Sequence, residues 1–125
     1  SIDYKINIDG KMTVFTKNGR NDTFMDLIEW VKTAERLGAG EILLSSIEKD
    51  GTLSGLDLKV ANEVQSHVNI PIVISGGCGL ATHFSEGFNK TDVSGISAGN
   101  FFSLQDQNFI QTRAQISNSG VDIRR

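Results

Sequence analysis

The chain has 125 residues, a formal net charge of −3 and 38% apolar residues. This is the size and composition of one ordinary globular domain, so residues 1–125 are treated as a single domain. The mild acidity argues against a nucleic-acid partner, because duplex binders usually show a basic stripe. The single cysteine, Cys78, excludes an internal disulfide and fits a reducing compartment.

The apolar runs are all far shorter than the ~18 residues of a membrane span, and no signal peptide is visible. We therefore expect a cytoplasmic protein with no membrane partner. The chain opens with Ser1 rather than Met, which indicates removed residues or a fragment.

The N-terminal third is predicted to contain a strand, a β-ribbon and a helix. "SIDYKI" is typical of a strand, and the turn signals "DG" and "NG" around "KMTVFTK" predict a small ribbon at about residues 8–20. A helix is then predicted over residues 23–37, capped by Asp22 or Thr23 and ended by Gly38. Its apolar positions recur at three- and four-residue steps: Phe24, Leu27, Ile28, Val31, Ala34 and Leu37.

Strands and helices alternate through the rest of the chain. "GEILLSS", "IPIVISGG" and "VSGISAG" are typical of buried strands, and "DLKVANEVQSHV" and "ATHFSEGF" of helices. A last helix is predicted at about residues 105–117, with Phe109, Ile110 and Ile116 inward. This order predicts an α/β fold with a parallel sheet of four βα units, which is half of a (βα)8 TIM barrel. An open flavodoxin-like sheet has a similar length, and periodicity does not choose between the two.

Polar residues and glycines follow each predicted parallel strand, where such sheets collect their functional groups. A carboxylate inside an apolar strand, such as Asp3, suits general acid–base chemistry, but it could also be an edge residue paired with Lys5. Asp50 could be a second acid or a turn former beside Gly51. The strand-end candidates are Asp3, Lys5, Ser46, Asp50, Gly51, Thr52, Ser75, Gly76, Gly77, Ala98 and Gly99.

Two glycine turns, "SGG" and "SAGN", come directly before predicted helices. Such turns let backbone N–H groups approach a phosphate, although they also occur simply as tight connections. His67 and His83 are expected at the surface of helices remote from the strand ends, and Cys78 is expected as a packing residue. Because no residues have metal-ligand spacing, we expect neither a metal nor another cofactor.

Three segments resemble a known family. "GAGEILLSSIEKDGTLSGLDL", "IPIVISGGCG" and the opening "SID.K" resemble the cyclase subunit of imidazole glycerol phosphate synthase and its paralogues in surface-sugar amidation. The resemblance runs from Ser1 to about Arg124 and maps to the C-terminal half of that barrel, its strands five to eight. It therefore implies a (βα)4 half-barrel with a small β-ribbon after the first strand.

The resemblance also implies a reaction in histidine biosynthesis. The family cyclase takes ammonia from a glutamine amidotransferase and adds it to a ribulosyl bis-phosphate intermediate, which closes an imidazole ring and releases a carboxamide ribotide. Asp3 matches one of two catalytic aspartates, and Lys5 the lysine that follows it. The "DGT" of Asp50, Gly51 and Thr52 matches a substrate loop. The two glycine turns, at residues 76–77 and 98–99, match one of two phosphate sites.

Some features depart from the family pattern. The half that carries the other catalytic aspartate and phosphate site is absent from these residues, Glu48 stands where aspartate is usual, and Gly99 where serine is frequent. A lone (βα)4 sheet would expose two strand edges and an inner apolar face, which predicts a homodimer that sets Asp3 opposite its copy. The alternatives are a non-catalytic phosphate-binding half-barrel, from a gene fragment or mobile cassette, and a module that docks a glutaminase.

Overall fold

The computed structural model describes residues 1–104 and 108–124. Its elements, in chain order, are β1 (Ile2–Ile6), β2 (Met12–Thr16), β3 (Asn21–Asp26), α1 (Leu27–Arg36), β4 (Ile42–Ser46), α2 (Leu58–Gln65), β5 (Ile72–Ser75), α3 (Ala81–Lys90), β6 (Gly95–Ser97), α4 (Asn100–Leu104) and α5 (Phe109–Asn118).

The strands form one six-stranded sheet in the order β3-β2-β1-β4-β5-β6. Strands β1, β4, β5 and β6 are parallel neighbours, whereas β2 and β3 add an antiparallel hairpin beside β1. The predicted α/β class is therefore confirmed, and the parallel strands with their helices are consistent with half of a TIM barrel.

One face of the parallel sheet packs against helices and forms the main core. Alternate residues of the strands are buried there, as the two-residue period of a strand requires. They share a cluster with apolar residues of α1 and α2; its strand members include Ile2, Tyr4, Ile42, Leu44, Ile72 and Ile74. The other members of this cluster include Leu27, Val31, Val60, Ala61 and Val64.

The opposite face of the sheet is open and carries a polar row. Strand register places Asp3 beside Ser45, Ser45 beside Ser75, and Ser75 beside Ser97. A second row of Leu43, Val73 and Gly95 lies one pleat below. The first three residues of the polar row are half-buried and Ser97 is exposed, so this face remains accessible in the isolated chain.

The predicted start of the first helix was wrong by four residues. Residues 21–26 form strand β3, and α1 begins at Leu27 with Asp26 as its cap, whose carboxylate accepts the Glu29 N–H at 3.1 Å. Phe24 has a φ of 58°, which no helix tolerates, and its side chain is 86% exposed. Asp22 accepts the Phe24 N–H at 2.8 Å, so it supports this local turn rather than the helix.

The predicted ribbon is present but is longer and differently placed. Strand β2 folds back on β1 through residues 7–11, and β3 then pairs with β2. The pairing runs from Asp3 opposite Phe15 to Ile6 opposite Met12. The expectation that both outer edges of the parallel strands would be open was therefore wrong for β1, because β2 covers it over these residues.

The C-terminal region departs from the expected single helix. Residues 105–107 lie outside the described residues, which place α4 before them and α5 after them. Ile116 is buried as predicted, but Phe109 and Ile110 are exposed. The Phe109 ring stacks on Phe102 with 4.0 Å between centroids, which explains its position at the surface of a second, aromatic cluster.

Across residues 1–104 and 108–124, no helix has the length and apolarity that crossing a membrane would require.

Candidate functional site

Strand β1 and the carboxyl ends of β4 and β5 border a polar cavity of about 340 Å³, here called the acidic cleft. Asp3 reaches it from β1, and Asp50 from the loop after β4. Its lining residues are Asp3, Asn18, Ser45, Ser46, Ile47, Asp50, Ser75 and Gly76. The fold thus brings both predicted acids to one cavity, although 46 residues lie between them in the sequence.

A smaller depression adjoins the acidic cleft, here called the glycine cleft. It is lined by Asp50, Gly51, Leu53, Ser75, Gly76, Gly77, Cys78, Ser97, Ala98, Gly99 and Asn100. Asp50, Ser75 and Gly76 line both depressions, so the two lie next to each other. The glycine cleft gathers both predicted glycine turns at neighbouring strand ends.

Gly76 and Gly77 are required where they stand. Their φ angles are 98° and 91°, in the left-handed region that disfavours side chains. A Cβ at Gly76 would lie 2.6 Å from the Ser46 carbonyl oxygen, and one at Gly77 would overlap the Gly55 carbonyl. The Gly55 N–H donates to the Gly77 carbonyl at 2.8 Å, so the loops after β4 and β5 are locked together.

Two predicted site residues lie outside both clefts. The Lys5 ammonium donates to the Gly19 carbonyl at 3.0 Å and sits 4.6 Å from the Phe15 ring centroid. The Thr52 hydroxyl donates to the Lys49 carbonyl at 2.7 Å and lies 2.7 Å from the Ser54 hydroxyl. In this structure both side chains therefore stabilise loops next to the site.

Glu48 has a structural contact at the end of β1. Its carboxylate accepts the Ile6 N–H at 3.0 Å, and the neighbouring Ile47 N–H donates to the Tyr4 carbonyl at 3.1 Å. The loop after β4 is thereby tied to the strand that carries Asp3. Glu48 does not line the acidic cleft. Its side chain holds the loop that borders the cleft against β1.

Tyr4 ties the same strand to the helix layer. Its hydroxyl donates to Asp57 at 3.0 Å, and Asp57 also caps α2 by accepting the Val60 N–H at 3.3 Å. Burial, followed by the charge of Asp57, raises the pKa of the Tyr4 hydroxyl well above its usual range. This pair makes the aspartate of the "SGLD" segment a structural residue.

The remaining reactive side chains have mainly structural environments. Cys78 is buried, and burial raises the pKa of its thiol to about 12, as suits a packing residue rather than a nucleophile. His67 is exposed, as expected. His83 was misplaced by the prediction, because it is half-buried and its Nδ1 accepts the N–H groups of Gly79 and Leu80 at 3.0 and 3.3 Å. Among the described residues, no group of three or more His, Cys, Asp or Glu side chains could hold a metal ion.

Sequence reasoning missed three polar residues of the clefts as site candidates: Ser45, Ser97 and Asn18. Ser45 and Ser97 share the polar row with Asp3, and the two-residue period of the strands could have placed them on that face. Asn18 carries no such signal, because it reaches the acidic cleft only through the pairing of the β2–β3 hairpin with β1.

The arrangement combines acids with exposed backbone near the glycines. Carboxylates can exchange protons with a ligand in the acidic cleft. Glycine turns can bring backbone N–H groups close to an anion in the glycine cleft. The pair of clefts therefore fits a ligand with an anionic end and a reactive polar centre beside it.

Comparisons with known proteins identify a family for this chain. A family profile described as "Histidine biosynthesis protein" matches residues 1–107. The chain is 41% identical over 124 residues to an imidazole glycerol phosphate synthase subunit HisF of Clostridium botulinum strain Okra, with 94% of this chain and 49% of that protein covered. The HisF proteins of strains Kyoto and Langeland are 41% and 40% identical, with the same coverage. The chain therefore spans about half the length of the curated relatives it matches.

Proposed function

The chain belongs to the histidine biosynthesis protein family, and from this premise we propose that it is a cyclase-type half-barrel. Its reaction would add ammonia to a ribulosyl bis-phosphate aminoimidazole carboxamide intermediate, close the imidazole ring and release the carboxamide ribotide. The observation that carries this proposal is that the two clefts lie next to each other and share Asp50, Ser75 and Gly76 as lining residues. One ligand could then place a phosphate at the glycines and its reacting carbons beside Asp3.

Asp3 is proposed as a general acid–base group of the ring closure. Its support is threefold: it is half-buried, it pairs with Ser45 near the carboxyl end of the parallel strand β4, and it lines the acidic cleft. Asp50 lines the same cavity from the adjacent loop and is proposed as a second acid on the substrate. Ser75 is proposed to orient the substrate from the face of the sheet that carries Asp3. Ser46 also lines the cavity, but it is buried and pairs with Tyr4, so it is proposed to support the site from the core side of the sheet.

The glycine cleft is proposed to bind one phosphate of the substrate. Gly76, Gly77, Ala98 and Gly99 line it, so phosphate oxygens could approach backbone N–H groups without meeting bulky side chains. Gly51 lies at its edge and Thr52 stabilises the same loop through Lys49. The bound phosphate would then position the reacting part of the substrate beside Asp3.

A homodimer is proposed to complete the site. The open face carries Asp3 in its polar row together with the apolar row of Leu43 and Val73, so apposed copies would bury both rows and bring two Asp3 carboxylates into one cavity. At the far edge, β6 pairs with β5 alone among the described strands. Ammonia would come from a glutamine amidotransferase partner. This is in line with the name of the relatives, which are described as one subunit of a synthase.

A ring-closure assay with free ammonia tests the reaction. We expect the wild-type protein to convert the bis-phosphate intermediate, and Asp3→Asn to lower turnover at least 100-fold, because it loses the acid–base group while keeping the shape of the side chain. The matched control is Asp9→Asn, an exposed acid in the β1–β2 turn, which should leave the rate unchanged.

The same assay separates the second candidate function. The accessible polar face of the described sheet favours a phosphate-binding half-barrel without turnover as the alternative. Binding of the intermediate without product formation would support that alternative and contradict the cyclase. Equal turnover by Asp3→Asn would remove Asp3 from the reaction.

A further inference from the structure

The β2–β3 hairpin brings a turn to the acidic cleft that the proposed roles leave unused. Lys17, Asn18 and Gly19 have φ angles of 53°, 57° and 74°, so three consecutive residues are left-handed. Asparagine tolerates this conformation better than most residues, whereas lysine adopts it at a cost. Such a backbone persists only where surrounding contacts hold it, and these contacts can be identified here.

Two contacts hold the turn against the site. The Lys5 ammonium on β1 donates to the Gly19 carbonyl at 3.0 Å and also lies over the Phe15 ring. On the other side, Gly19 packs against Ile47 of the loop after β4, where an added Cβ would lie 3.2 Å from the Ile47 side chain. The turn is thus clamped between the strand of Asp3 and the loop that leads to Asp50.

Asn18 is the member of this turn that lines the acidic cleft. Its side-chain amide makes no hydrogen bond to any of residues 1–104 or 108–124, so both its donor and its acceptor are available to a ligand. An amide can donate to one hydroxyl oxygen and accept from another hydroxyl group. The two carboxylates in the same cleft disfavour a phosphate there and favour an uncharged polyhydroxyl chain.

We propose that Asn18 contacts the hydroxyl groups of the substrate's sugar chain, and that Lys5 is a positioning residue that holds the Asn18 turn over the acidic cleft. This inference rests on the proposed function and adds a specificity-determining residue to it. Lys5 thereby acts through Gly19 rather than on a phosphate. The substrate's phosphate lies at the glycine cleft, and its sugar chain runs past Asn18 to Asp3.

Calorimetric binding to the 125-residue protein tests the role of Asn18. The probes are the bis-phosphate intermediate, in the absence of ammonia, and inorganic phosphate. Asn18→Gly keeps the left-handed turn, because glycine adopts that conformation freely, and removes only the amide. We expect it to weaken binding of the intermediate about tenfold, the effect of one lost hydrogen bond, and to leave phosphate binding unchanged. Asn21→Gly, in the same hairpin but outside both clefts, should change neither affinity.

Hydrogen exchange on the free protein tests the role of Lys5. Lys5→Met keeps an unbranched stem over Phe15 but cannot donate to Gly19, so the Arg20 N–H, which donates to Thr16 at 3.2 Å, should exchange severalfold faster. The same variant should weaken binding of the intermediate, and Lys5→Arg should restore both values. A purely structural role for Lys5 would change exchange without changing affinity, which would contradict the positioning role.

The outcomes separate this inference from the proposed function. If the wild-type protein binds the intermediate and Asn18→Gly binds it equally well, the role of Asn18 is refuted while the proposed function stands. If the wild-type protein binds phosphate but not the intermediate, the proposed function fails, and the role of Asn18 fails with it.

Discussion

Tyr4 shows how a single buried side chain connects the site to the core. It is 2% exposed, lies between Asp3 and Lys5 on β1, and donates its hydroxyl proton to the cap of α2. The strand's two-residue period sends Asp3 and Tyr4 to opposite faces. Anchoring Tyr4 to Asp57 therefore fixes the position from which Asp3 enters the acidic cleft.

Replacing Tyr4 with phenylalanine should lower the free energy of unfolding by about 1 kcal/mol at pH 7, because one buried hydrogen bond is lost. Urea denaturation measures this change. Burial raises the Tyr4 pKa above its ordinary value of 10.0, so the folded state favours the protonated hydroxyl. The contribution of Tyr4 is thus fully present below pH 10 and declines as the pH rises beyond it.

The difference in stability between the wild-type protein and Tyr4→Phe isolates this titration from that of the lysines. It should be constant between pH 7 and about 9 and shrink above about pH 10. A difference that grows above pH 10, or no difference at pH 7, would mean that the Tyr4–Asp57 bond does not stabilise the fold.

Individual site residues were predictable where a strand end placed them. Three of them lie within parallel strands, namely Asp3, Ser46 and Ser75. Local apolar patterns locate such strands well. Lys5 and Asn18 were not predictable from local pattern, because their environment depends on a hairpin that folds back on β1. Side-chain direction at that point is decided by tertiary pairing rather than by sequence neighbours.

At the scale of elements, the loops after β4 and β5 form one packed unit. Gly76 faces the Ser46 carbonyl and Gly77 the Gly55 carbonyl, so the backbones of the two segments are in close contact at these positions. Side chains at these positions would separate them. The glycine cleft therefore depends on this packing for its shape, independently of any phosphate.

Gly76→Ala should destabilise the protein by about 2 kcal/mol, because it combines a left-handed φ with a backbone clash. Gly99→Ala is the matched control: a Cβ there meets nothing within 4 Å, and its φ is outside the left-handed region. Thermal unfolding of both variants measures the contrast. Equal stability of the two variants would contradict the packing described for the loops.

Element boundaries show where local pattern is insufficient. The apolar spacing from Phe24 onward matched a helix, yet residues 21–26 form an edge strand because they pair with β2. Asp22 and Thr23 resemble helix caps, but their side chains bond the N–H groups of Phe24 and Met25 in local turns. A cap residue and a turn residue have the same chemistry, so only the strand pairing distinguishes them.

At the scale of the whole molecule, alternating strands and helices predicted the fold class correctly. Each βα unit is short-range in sequence, and the connections between parallel strands follow from it. The antiparallel pairing of β2 with β1 was not predicted, because the sequence pattern of a hairpin does not indicate which other strand the hairpin pairs with. Because β2 occupies the edge of β1 from Asp3 to Ile6, the surfaces open to a second copy are the inner face of the sheet and the edge of β6.

The central claim, that two copies of this chain assemble a cyclase site, is tested most directly by measuring turnover and mass on the same samples. Ring closure with ammonia is followed across a range of protein concentrations, while light scattering gives the oligomeric state. We predict that turnover per chain rises in proportion to the dimer fraction. A stable dimer that binds the bis-phosphate intermediate but forms no product, or a stable monomer at micromolar concentration, would contradict the claim.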